Sequence, residues 1–143
     1  MGLFDHRRTW HFIVKAPPSE CVDAFRSAFN GSRPRGPVLT KAKWRIESAP
    51  TGAIAVYQGR AGLVAAATIF SSRANDEQQA AIGSQITFET AAGDGPSTEC
   101  TMWLSSSAKT LGFVADGRFF RPYMRLVQQC LAEIDPELTV SQS

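Results

Sequence analysis

The sequence predicts an α+β fold: an antiparallel run of short strands between a first helix and a long C-terminal one. Three observations predict it. In Asp116–Ile134 (DGRFFRPYMRLVQQCLAEI), Phe120, Met124, Val127, Leu131 and Ile134 recur at helical steps of three and four, and Phe119, Tyr123 and Cys130 widen the stripe. Residues 7–15 alternate apolar and polar, then meet Pro17 and Pro18 and a second helical stripe. Between these lie short alternating segments punctuated by Gly, Pro and Asn.

Taken in order, residues 1–6 form a loose lead-in. Arg7 to Lys15 is a strand with Arg8, Trp10, Phe12 and Val14 on one face and Thr9, His11, Ile13 and Lys15 on the other. Pro17 and Pro18 end it, and proline suits the first turn of the helix that follows, as Glu20 and Asp23 suit its positive end. Cys21, Val22, Ala24, Phe25, Ala28 and Phe29 give that helix an apolar stripe from about Pro18 to Asn30, with Asn30-Gly31 closing it. Residues 32–40 are a loop. Ala42 to Ala49 is a strand, with Lys43, Arg45 and Glu47 outward and Trp44, Ile46 and Ser48 inward. Pro50-Thr51-Gly52 turns the chain into a strand over 53–60. Residues 63–71 read as a further strand, although their alanines favour helix. Residues 75–82 read as a short helical turn. Gln85 to Ala91 is a strand with Ile86 and Phe88 on one face. Residues 92–97 turn, and Thr98 to Ser106 is a strand with Cys100, Met102 and Leu104 opposite Thr101 and Trp103. The last helix would be a rod of about 28 Å over its 19 residues. Pro122 cannot donate to the carbonyl of Arg118, so the helix either kinks there or starts near Phe120. Asp135-Pro136 stops it, and 136–143 read as a loose tail.

With 143 residues the chain is the size of one domain, and no internal boundary or repeat divides it. At this length roughly 68–70% of the extended surface can be buried, so a real core is possible. A net charge of +2 does not call for nucleic acid. No apolar run is long enough for a membrane span, and the first residues carry no apolar signal core. Three cysteines with no paired spacing read as reduced thiols in a cytoplasmic protein.

The strand, the Ala16-Pro17-Pro18 start of a helix (FIVKAPPSECVDAFRSAF), the meander and the amphipathic last helix together resemble the START-like, or Bet v 1-like, helix-grip superfamily (SRPBCC). More narrowly they resemble actinobacterial proteins of that type. The resemblance covers nearly the whole chain and rests on element order. It implies a curved antiparallel sheet of six to seven strands wrapped around the C-terminal helix. It also implies a cavity between them for a lipid, polyketide or other apolar molecule. Trp44, Ile46, Tyr57, Phe88, Trp103, Phe119, Tyr123 and Val127 are the inward candidates to line it. The same side chains would equally build a filled core, and the two readings stay open here.

No other pattern amounts to a site. His6 and His11, the only histidines, lack a third ligand at metal spacing, so neither a metal nor a cofactor is expected. Arg45, Arg60, Glu89 and Glu99 lie on or near strands. An inward Arg–Glu pair, with Arg45 and Glu89 the polar anchors, would hold a headgroup or do acid–base work; the alternative is a solvated row of opposite charges. Arg33, Arg35, Lys41, Lys43 and Arg45 would contact phosphates or a partner, or line a solvated edge; no nucleic-acid motif accompanies them. Gly59–Gly62 lacks the residues of a phosphate loop, and the serine clusters lack a nucleophile elbow. The first functional expectation is therefore a binding domain for an apolar small molecule. An enzyme of cyclase or dehydratase type would draw on Tyr57, Arg45, Glu89 and Tyr123. An interaction module would use the basic residues of 33–45.

Overall fold

The structure, a computed structural model, describes residues 9–29, 42–60, 83–105 and 121–142. Within them the elements are β1 (Thr9–Val14), α1 (Pro18–Ala28), β2 (Ala42–Ala49), β3 (Gly52–Arg60), β4 (Gln85–Ala92), β5 (Thr98–Ser105), α2 (Arg121–Ile134) and β6 (Thr139–Gln142). The six strands make one sheet in the order β2-β3-β4-β5-β1-β6, and every neighbouring pair is antiparallel. The α+β class, the antiparallel sheet and the C-terminal helix are as the sequence predicts. The expected strand over 63–71, the turn over 75–82 and the proposed helix start at 116–120 lie outside the described residues.

Both helices cover one face of the sheet. Trp10, Phe12 and Val14 of β1, Ala53, Ala55 and Tyr57 of β3, Ile86 and Phe88 of β4 and Cys100, Met102 and Leu104 of β5 are all buried on that face. Cys21, Ala24, Phe25 and Ala28 of α1 and Met124, Leu126, Val127, Cys130 and Leu131 of α2 join the same cluster. Alternation along each strand puts these residues on one side because successive side chains point opposite ways. Leu126 lies outside the stripe read from the sequence, so the buried arc of α2 is wider than that stripe.

Local chemistry sets the element ends. Pro17 caps α1 in extended conformation and Pro18 occupies its first turn, where a missing N–H costs nothing. The described part of α2 starts at Arg121, which likewise places Pro122 in a first turn. Gly52 has to be glycine: a Cβ there would sit 1.8 Å from the Phe88 carbonyl oxygen of β4. Gly83 enters β4 at φ 95, a backbone that favours glycine, and its N–H donates to the Tyr57 carbonyl at 2.9 Å.

The tail corrects an expectation. Most of the segment read as a loose tail is ordered: Thr139–Gln142 pairs with β1 as an edge strand, Val140 standing opposite Phe12. Asp135 makes the turn. Its Oδ2 accepts from the Lys15 N–H at 2.9 Å and its Oδ1 from the Glu137 N–H at 3.1 Å. Its backbone N–H closes onto the Leu131 carbonyl at the end of α2.

Candidate functional site

The site grows from Trp44 on β2, an edge strand of the sheet. Pairing with β3 sets Trp44 opposite Tyr57 and Ile46 opposite Ala55, all directed to the helix side. The Trp44 ring lies 5.3 Å from Tyr57, 4.7 Å from Phe29 and 5.0 Å edge-on from Tyr123. Phe29 is also 6.3 Å from Tyr123 and 5.0 Å from Phe25, which stacks on Phe88 at 4.9 Å. Centroid distances of this size are those of attractive ring pairs. One strand edge, the end of α1 and the start of α2 therefore meet through a continuous chain of rings.

Burial divides the expected lining residues. Tyr57, Phe88 and Val127 have no exposed surface and belong to the filled core. Trp44, Ile46 and Tyr123 are half-buried and pack against that core. Phe119 lies outside the described residues. Phe29 belongs to the cluster although it was read only as part of a helical stripe. The stripe carried the signal, since a residue four places from Phe25 shares its face.

Three placements decide between readings that the sequence left open. Trp103 is not inward: it pairs with Thr9 and Thr87 on the outer face, opposite in direction to Met102 and Leu104. Arg45 also faces outward, across from Val56, and pairs along its own strand with Glu47 at 2.6 Å. Glu89, across from Thr101, is exposed on that same outer face. Neither polar anchor reaches the rings, and the two strands that carry them form no Arg45–Glu89 pair. Arg45 and Glu47 are 58% and 44% exposed, so their ion pair contributes little. His11 stands on the outer face between Thr101 and Ser141, and His6 lies outside the described residues. The basic positions 33, 35 and 41 also lie outside them.

An open groove of about 310 Å³ follows the seam between the helices, with Glu20, Asp23 and Ser27 on one side and Cys130, Glu133 and Ile134 on the other. Since Phe29 meets Tyr123 while Glu20 lies towards Glu133, α1 and α2 run antiparallel. Trp44, Tyr57 and Tyr123 do not line this groove. Among the described residues no group of three or more His, Cys, Asp and Glu is placed to hold a metal ion, and no helix is long and apolar enough to cross a membrane.

No family model matches the chain, no curated protein matches it, and no solved structure matches it.

Proposed function

We propose that this chain is a binding domain of helix-grip type that takes an apolar small molecule on the helix side of its sheet, against Trp44, Ile46 and Tyr123. The observation that carries the reading is the half-buried state of these three large side chains, with a fully buried floor of Tyr57 and Phe88 behind them. Such a wall gains about 25 cal/mol for each Å² of apolar surface that a guest removes from water, before ordering costs. Tryptophan and tyrosine join an apolar ring to a polar tip, which suits a guest with one polar end. The order of elements, which resembles the helix-grip superfamily, supports the same placement. The cyclase reading loses two of its four residues, because Arg45 and Glu89 face away from the rings.

Native mass spectrometry of freshly purified protein tests the reading directly and should show a co-purified organic adduct or a readily loaded one. Titration with an anilinonaphthalene sulfonate dye should give saturable binding that weakens about tenfold in Trp44→Ala and in Tyr123→Ala. Dye binding identical in both folded variants, or a chain that is always empty and takes up no dye, would overturn it.

A further inference from the structure

Arg26 is a cation that the fold brings to the ring side of β2. It stands in the last turn of α1, where the negative end of the helix favours a positive charge. Its Nη2 donates to the Ser48 hydroxyl oxygen at 2.7 Å. Ser48 pairs with Ala53, as Ile46 pairs with Ala55 and Trp44 with Tyr57. Alternation therefore puts Ser48 in one inner row with Trp44 and Ile46, at the turn end of the strand. From Trp44 to Ser48 that row spans about 13 Å at the usual strand rise. Arg26 and Phe29 stand three residues apart and are neighbours on the helix surface. Phe29 packs on Trp44 at 4.7 Å while Arg26 reaches Ser48, so α1 meets both ends of the row. The acidic residues of α1, Glu20 and Asp23, line the seam towards α2 instead.

We propose that the guest is an amphipathic anion of fatty-acid type, with its alkyl chain along Trp44 and Ile46 and its carboxylate on Arg26; this rests on the binding reading above and names the ligand class. The strand residues expected as anchors, Arg45 and Glu89, face outward, and the anchor comes from the helix. A guanidinium carries five N–H donors, and the Ser48 hydroxyl takes one of them without supplying a negative charge. The planar fork can take both oxygens of a carboxylate, the arrangement in which arginine binds such groups most strongly. Ser48 already holds the side chain over the row, so less freedom is lost when the guest arrives. Arg26 and Ser48 are exposed, so the carboxylate keeps part of its hydration and no charge has to be buried. The alkyl chain leaves water against the half-buried Trp44, Ile46 and Tyr123. An uncharged guest would gain only this apolar contact, and a cationic head would be repelled by Arg26.

Isothermal titration calorimetry of the folded chain with decanoate and with decanol, below their micellar and solubility limits, tests this. Decanoate should bind about fivefold more tightly than decanol. Arg26→Gln should remove that advantage by weakening decanoate and leaving decanol unchanged, and Arg26→Lys should keep part of it. Added salt should weaken decanoate alone. Equal affinities for the two in the parent chain, or an equal loss of both in Arg26→Gln, would overturn the anchor and leave the ring site standing. No binding of either, or binding of both that is unaltered in folded Trp44→Ala, would overturn the ring site and the anchor with it.

Discussion

Asp135 holds three pieces of backbone with one side chain and one peptide. Its carboxylate oxygens take the Lys15 and Glu137 N–H groups, and its own N–H ends α2 on Leu131. Asp135→Ala would leave the Lys15 N–H without its acceptor in a part-buried position, at a cost of about 1–3 kcal/mol. Urea unfolding should show this as a lower midpoint with unchanged slope, and Asp135→Asn should lose less because its amide oxygen still accepts. A midpoint unaltered by both substitutions would mean that the backbone turn holds without the carboxylate. The buried thiols Cys21 and Cys100 make a second residue-scale prediction. The neighbouring Cys21 sulfur and then burial raise the Cys100 thiol well above its ordinary 9.0. Above that pH the unfolded chain releases the Cys100 proton while the folded chain keeps it. The unfolded state then binds fewer protons, and stability falls as pH rises. Cys21, shifted the other way, offsets part of the decline. Thermal melts between about pH 8.5 and 10 should therefore be flatter for Cys21→Ala/Cys100→Ala than for the parent; parallel curves would refute the assignment.

At the scale of elements, what could be read from the sequence depended on whether a segment carried its own period. The stripe of α1 and the limits of β2 at Ala42 and Ala49 come from local spacing and from the turn at Pro50, and the structure reproduces them. β6 carries no such signal. Of Thr139–Gln142, Val140 and Gln142 share the inner face and only Val140 is partly buried, and the segment is a strand because Asp135 returns the chain to the edge of β1. Trp103 shows the complementary error. Alternation along β5 already placed it opposite Met102, and only the size of its ring suggested an inward position. Arg45 and Glu89 follow the same parity, one residue along from Trp44 and Phe88. Strand parity is set by the backbone pleat, whereas the affinity of a side chain for the interior is only a tendency. Removing residues 139–143 should uncover Phe12 and the β1 edge. It should lower stability by about 1–3 kcal/mol and raise amide exchange in 10–14, with little change in the far-ultraviolet spectrum. A truncated chain as stable as the parent would make β6 an ornament of the fold.

Across the whole molecule the two ends of the sheet differ. At the β1–β6 end, Asp135, the Thr98–Ala16 bond and fully buried Phe12, Val14 and Met102 fasten both helices to the strands. At the β2 end, the described residues over Trp44 include Phe29 and Tyr123, with the exposed Arg26–Ser48 hydrogen bond of 2.7 Å nearby on the same strand. Local stability follows buried contact and protected hydrogen bonding, so the molecule should open first at the β2 end. Hydrogen exchange followed by mass spectrometry should find 44–48 exchanging well ahead of 10–14 and 98–104. An apolar guest on the rings stabilises only states in which Trp44 and Tyr123 face each other. It should therefore slow exchange in 44–57 and 121–127 while leaving 98–104 unchanged, by a factor that tracks guest concentration over its dissociation constant. Equal protection at both ends of the free chain would remove the physical basis for a guest site at Trp44. Slowing spread evenly over all strands would mean that the guest binds somewhere other than these rings.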